Sequence, residues 1–286
     1  MGRCDPQPKE VNFTLSNTVL EKSRVRVLED ISPVAAKEAF KPVPVRCGAG
    51  TFSKVAFVAR QWIDLQLLTC VRFLRPRMAR LQGKVLDVGC GEMPFRPFLS
   101  HEVHYQGLDV AESVSFGMRN HPDIVLFDGV NIPFPDNSWD GILCTEVLEH
   151  AVEPELLIAE MLRVLRPGGT LLLTVPFAAR VHHAPHDYRR FTSFCLHRML
   201  ADFESVEILH RGNDYAVIAN KMIVLNARLL TGGNWMSRVF AMPIAVVALV
   251  PLAALAVFVA HISMFLDLGS KDDPLGYGCS AKKRER

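Results

Sequence analysis

Residues 85–91 read Val85-Leu86-Asp87-Val88-Gly89-Cys90-Gly91, an apolar run that passes straight into a Gly-x-Gly turn. That is the pattern of a buried strand followed by a tight loop. Glycine suits such a loop because backbone can then pass close to a ligand and offer its N–H groups. Working outward, strand-like runs recur at residues 105–109, 124–127, 141–144 and 170–175. Between the last two lies an amphipathic stretch over residues 154–165. Pro154 suits its first turn, and Leu157, Met161 and Leu165 form one stripe. Arg166-Pro167-Gly168-Gly169 ends it. Strands alternating with helices, joined by short Gly/Pro turns, predict a mostly parallel α/β sheet.

Two further aspartates give the turn its meaning. Asp109 closes the second strand-like run, 18 residues after Gly91, where a carboxylate can accept both hydroxyls of a ribose. Asp128 follows the third run, placed for the edge of an adenine ring. Alone, each aspartate reads as a solvated loop carboxylate; with Asp87, three acids fall at strand ends in register. The dinucleotide fingerprint G-x-G-x-x-G fails, because Pro94 stands where the third glycine belongs, so NAD and FAD are not expected.

The chain at this point resembles the class I S-adenosylmethionine-dependent methyltransferases, most of all the broad type 11 group. The resemblance covers about residues 75–210. It is carried by residues 85–91, 107–110 and 127–129, by Ile132-Pro133-Phe134-Pro135-Asp136-Asn137-Ser138-Trp139-Asp140, and by Leu165-Arg166-Pro167-Gly168-Gly169. It implies a Rossmann-like seven-stranded, mostly parallel sheet with helices on both faces, closed by an antiparallel strand, and S-adenosylmethionine as cofactor. It also implies that Asp87, Gly89 and Gly91, with Cys90 between them, hold the methionine end. Asp109 would take the ribose, Asp128 with Gly129 the adenine, and Glu146 would lie under the cofactor. The run Gly91-Glu92-Met93-Pro94-Phe95-Arg96 departs from the usual third glycine and is similar to methyltransferases encoded with cell-surface glycan genes.

Methyl transfer needs an aligned nucleophile and, for a hydroxyl, removal of its proton. Histidines concentrate in two places. One is Glu146-Val147-Leu148-Glu149-His150, past the fourth run; the other is His182-His183-Ala184-Pro185-His186-Asp187-Tyr188-Arg189-Arg190-Phe191-Thr192, past the fifth. Ligands in open α/β sheets bind outside the carboxyl ends of the strands, where both segments emerge. The second segment also resembles a P-H-D-Y-R-R-F-T element of glycan-associated family members. His186 paired with Asp187 is a candidate general base, His150 a second catalytic candidate, and Tyr188 and Arg189 candidates for binding substrate. Against this stands a structural reading in which Asp187 and Arg190 cap the following helix. A metal site at His182, His183 and His186 lacks cysteine partners, and no metal is expected.

The flanks differ in character. Lys+Arg total 32 against 30 Asp+Glu, a net charge of +2, which excludes a heavily basic nucleic-acid binder. Residues 1–80 nevertheless hold 14 basic and 7 acidic side chains. Residues 1–50, rich in proline, read as an extended arm without an apolar signal sequence. Residues 51–80 read as a basic helical region, either packed on the domain or resting on anionic lipid. The methyltransferase domain is expected over residues 81–221, a membrane-associated segment over 222–268 and a tail over 269–286. Within that segment, residues 239–266 carry no formal charge, enough for one crossing and too short for two. Two arrangements stay open. In one, an embedded hairpin returns to the sheet through a last strand at 275–281; in the other, a strand at 215–219 precedes a single span. Seven cysteines form no CxxC pair, which suggests reduced thiols and a cytoplasm-facing domain.

Together these readings predict a methyltransferase at the membrane surface. Its partners would be the bilayer and a small-molecule or lipid-linked acceptor, with no nucleic acid and an oligomeric state left open. An oxygen of a lipid-linked saccharide is the first candidate for methylation. A quinone or isoprenoid lipid, or a cofactor-binding module without catalysis, are the alternatives.

Overall fold

The computed structural model describes residues 43–48, 50–118, 121–231, 239, 242, 243 and 245–285. Most of the expected N-terminal arm lies outside the described residues. The apolar run at 85–88 becomes β1 (Lys84–Val88), followed by β2 (His104–Val110), β3 (Ile124–Phe127), β4 (Trp139–Thr145) and β5 (Leu165–Pro176). These five strands are parallel, and β6 (Glu204–Arg211) and β7 (Gly276–Lys282) complete one sheet in the order β3-β2-β1-β4-β5-β7-β6. Only β7 runs antiparallel, pairing with both β5 and β6. The strand order turns between β1 and β4, whose ends lie side by side with Val88 opposite Cys144. That is where an open parallel sheet leaves a crevice for a ligand.

Side chains alternate across the sheet because the strand repeat is two. Leu86, Val88, Ile142, Cys144, Leu171 and Leu173 point to one face and pack with the helix Pro154–Val164 and with Leu196 and Leu200. Val85, Leu143 and Leu172 point to the other, against Val71, Phe73, Leu74 and Met78. The basic stretch at 51–80 is two helices, α1 (Thr51–Gln61) and α2 (Leu65–Met78). Asp64 separates them by capping α2, its side chain accepting the Leu67 N–H. Pro76, with no N–H to donate, falls in the last turn of α2. Helix α2 is buried in the core, whereas α1 exposes Phe52, Val55 and Val58, with Trp62 and Ile63 just beyond it.

After β5 the helix α4 (Ser193–Met199) follows α3 (Pro154–Val164) in chain order and is capped by Thr192. The strand considered at 215–219 is not formed; those residues belong to α5 (Asp214–Thr231), which packs along α6 (Val250–Phe265). Asn213 starts α5 by accepting the Ala216 N–H, and it also bonds Ser263 and the Leu268 carbonyl at the far end of α6. Both ends of the helical pair are thus held at one place, between the neighbouring strands β6 and β7. Among the described residues one helical stretch, Val246–Phe265, is long and apolar enough to cross a membrane, with mean hydropathy 2.4. After this helix the chain returns to the sheet as β7, between β5 and β6.

Candidate active site

The turn after β1 is shaped by contact as much as by conformation. Gly89 has φ of +69°, and a Cβ there would stand 2.3 Å from Val147. The N–H groups of Gly89 and Cys90 both donate to the Leu108 carbonyl, at 2.8 and 3.1 Å. That of Gly91 donates to Asp109 Oδ2 at 2.8 Å. The turn therefore laces itself to β2 instead of offering its N–H groups outward, a correction to the sequence reading; what the glycines supply is bare backbone. Cys90 is buried, its sulfur packed on Gly107.

The three acids differ in their surroundings. Asp87 is buried and accepts the Tyr105 hydroxyl at 2.7 Å through Oδ2, while Oδ1 has no hydrogen-bond partner. Burial pushes its carboxyl up to about 7, and the nearby Asp109 adds to the rise. Asp109 is also buried, which raises its carboxyl, against the N–H groups of Gly91 and Val110 that favour the ionised form. Asp128 is exposed. Its carboxylate accepts the Asn131 side-chain amide and the N–H groups of Val130 and Asn131, which keeps it below the usual range and sets the loop carrying Gly129. Glu146, at φ +55°, is turned away to Arg211, which donates to it at 2.7 Å. Arg211 is buried and also donates to the Val175 and Tyr277 carbonyls, joining β4, β5, β6 and β7.

The histidine segments do meet, as their places after β4 and β5 require. The rings of His150, His182 and His183 lie 4.8 to 5.4 Å apart. Burial lowers His150 to about 4, so it is neutral near pH 7. The His186–Asp187 pair is not formed. Asp187 is held by Arg190, at 2.8 Å to Nη2, and by the His182 N–H at 2.9 Å; although burial raises its carboxyl, these bonds keep it well below the usual range. Nor does Asp187 cap α4, since Thr192 does. His186 instead places Nδ1 3.1 Å from the Tyr188 hydroxyl. The Arg189 guanidinium donates to the carbonyls of Ala151 and Val152, and the Tyr188 N–H to that of Glu149, fastening the loop after β5 to the loop after β4.

Residues 86–173 match the family described as a methyltransferase domain. Over these residues the chain is similar to that domain. Over 103 residues it is 38% identical to a phthiotriol/phenolphthiotriol dimycocerosates methyltransferase 1 of Mycobacterium ulcerans, covering 33% of this chain and 38% of that one. A fatty-acid O-methyltransferase of Mycolicibacterium smegmatis is 34% identical over 105 residues, 34% of this chain and 38% of its own. A demethylmenaquinone methyltransferase of Paenarthrobacter aurescens is 36% identical over 94 residues, 32% and 37%. The chain thus spans less than two fifths of the length of these relatives. In fold, it resembles the crystal structure of the [4+2]-cyclase SpnF, with a TM-score of 0.50 and 20% identity over 86% of this chain and 99% of that one.

The residues after β1 fit S-adenosylmethionine on an observation independent of these matches. Asp87 Oδ1 is a buried acceptor without a donor, and such an atom is costly unless a ligand satisfies it. An ammonium group would supply that donor. A pH dependence follows. The raised Asp87 carboxyl is protonated below about 7 and must ionise to pair with a cation. Affinity for S-adenosylhomocysteine is expected to fall about tenfold for each unit of pH below 7, with a proton released on binding. Calorimetry in buffers of different ionisation enthalpy reads both, and Asp87→Asn is expected to flatten the profile. Tyr105, Arg211 and Glu149 escaped the sequence reading. Only Glu149, three residues after Glu146 and beside a histidine, carried a visible signal.

Proposed function

We propose that the protein transfers a methyl group from S-adenosylmethionine to an oxygen of an amphiphilic acceptor at a membrane surface. The cofactor supplies an activated methyl on a sulfonium with a neutral leaving group. Asp87 and Asp109 hold it from the β1 and β2 side, with Asp128 at the far edge. The histidine-bearing loops after β4 and β5 receive the acceptor, and His186, beside Tyr188, takes the proton from the acceptor hydroxyl.

The observation that carries the membrane reading is the apolar surface formed by α1 and the α5–α6 pair. Phe52 and Phe265 are 87% and 83% exposed, and Phe258, Leu255, Trp62 and Ile63 are exposed as well, with the exposed Lys54 on α1. The two parts are joined where Trp62 stacks on His261 at 5.0 Å and its carbonyl meets His261 Nε2 at 3.0 Å. A groove of about 610 Å³ opens there, lined by Trp62, Ile63, Val257, Phe258, His261 and Phe265. An exposed apolar patch of this kind suits a membrane surface. The six cysteines among the described residues are all free thiols, in keeping with a cytoplasmic face.

Within that reading, a lipid-linked saccharide is favoured by the likeness of residues 185–192 to glycan-associated enzymes. A quinone headgroup is favoured by the matched demethylmenaquinone relative. The full chain, incubated with lipid extracts and methyl-labelled S-adenosylmethionine, is expected to place label in the organic phase. Cofactor binding without label transfer on any extract would leave a binding module instead. Flotation with anionic vesicles is expected to fall about 100-fold in the double variant Phe258→Glu/Phe265→Glu, because each buried aromatic is worth about 1.5–3 kcal/mol. Unchanged flotation would remove the membrane assignment.

A further inference from the structure

One cluster on the acceptor side is built in a way that proton transfer alone does not need. Glu149 is fully buried, and neither carboxylate oxygen has a hydrogen-bond partner. His150 Nε2 lies 3.6 Å from Oε1, too far for a hydrogen bond. His182 completes the group: one donor atom from each of Glu149, His150 and His182 lies within 4.8 Å of the other two. A buried carboxyl group whose oxygens have no hydrogen-bond partner is costly unless a ligand or ion satisfies them.

The two histidines are oriented for that cation. His150 donates Nδ1–H to the His186 carbonyl, which leaves the lone pair on Nε2, the nitrogen turned toward Glu149. His182 turns Nδ1 to the Arg180 carbonyl at 3.1 Å and to Asp187 Oδ2 at 3.2 Å, so its lone pair is on Nε2 as well. Ligating histidines characteristically give their second N–H to a carbonyl or carboxylate, which fixes ring and tautomer. Arg190, bound to Asp187 on the other side, holds that carboxylate in place. The imidazoles are 22% and 18% exposed while Glu149 is sealed, so an ion would keep an open coordination position on the solvent side.

We propose that Glu149, His150 and His182 form a binding site for a divalent transition-metal ion, with an open position that takes an oxygen of the acceptor. Two imidazoles and one carboxylate suit zinc, manganese, iron or cobalt better than magnesium or calcium, which prefer all-oxygen shells. The ion would lower the pKa of a coordinated hydroxyl and fix its direction, which serves transfer to oxygen. This role for the ion rests on the methyl-transfer reading, whereas the site itself does not.

The test therefore uses metal alone, without cofactor or acceptor. The full chain, stripped with chelator and titrated with Co2+, is expected to take up one equivalent. Visible d–d bands should appear without a thiolate charge-transfer band, and the ion should raise the melting temperature. Glu149→Gln and His182→Ala, each checked for folding in chelator, are each expected to weaken uptake by about 100-fold or more. No uptake by the wild type, or uptake unchanged in both folded variants, overturns the site. Failure of metal binding leaves cofactor affinity and label transfer to be judged separately, and a chain that binds metal but transfers no methyl group keeps the site while losing its role.

Discussion

Replacing Asp109 by alanine is expected to weaken binding of S-adenosylhomocysteine by about 100- to 1,000-fold. The residue does two things at once. Its Oδ2 accepts the Gly91 N–H and so ties the turn after β1 to the end of β2. In its proposed role, its position at the strand end would also offer the carboxylate to a pair of vicinal hydroxyls. Each hydrogen bond to a charged acceptor is worth about 1.5–3 kcal/mol, so losing two costs about 3–4 kcal/mol at the lower end of that range. Asp109→Asn keeps one oxygen for the tether but loses the charge, and is expected to fall between the two. Calorimetry on both variants, with melting curves to establish that the turn remains folded, separates the roles. Wild-type affinity in Asp109→Ala would remove the ribose assignment.

The largest effect on stability is expected at Arg211. Its guanidinium sits in the interior with Glu146 at 2.7 Å, the Val175 carbonyl at 3.0 Å and the Tyr277 carbonyl at 3.2 Å. Arg211→Ala leaves Glu146 without its cation, two carbonyls without a donor and a cavity among β5, β6 and β7. Breaking a buried pair from one side costs about 3–5 kcal/mol. Arg211→Met fills much of the volume and is expected to lose less, because Glu146 is 30% exposed and can turn toward water. Urea unfolding of the two variants measures the difference. A loss below about 1 kcal/mol in Arg211→Ala would show that the network does not hold the sheet.

The parts of the fold visible in the sequence are those whose burial is two-sided. Strands β1 to β5 are apolar runs because both faces of a parallel sheet are covered. Strand β6 escaped notice because Glu204-Ser205-Val206-Glu207-Ile208-Leu209-His210-Arg211 lies at the edge and mixes charge into every second or third position. Residues 215–219 were ambiguous for the opposite reason: a short apolar run does not distinguish strand from helix. The cap that decides the matter, Asn213, stands two residues before it. In the site, the acids at strand ends were legible because topology alone puts them at the crevice. The partner of Asp187 was not, since His186 is adjacent and Arg190 three residues on, and the loop geometry selects the more distant one. Arg211 had no signal, because its partners Glu146, Val175 and Tyr277 lie 65, 36 and 66 residues away.

The placement of the helical pair between β6 and β7 also governs the order of assembly. Pro176 and Gly276 are partners across the ladder yet one hundred residues apart in the chain. While the protein is being synthesised, the long edge of β5 stays bare until β7 emerges, and an uncovered strand edge recruits wrong partners. The greasy helices appear in that same interval. Early capture of the pair by lipid would shield one sticky surface and hold its two feet together, shortening the loop that β7 must close. If the proposed membrane contact holds, the bilayer would act as a chaperone for the sheet as well as a source of acceptor.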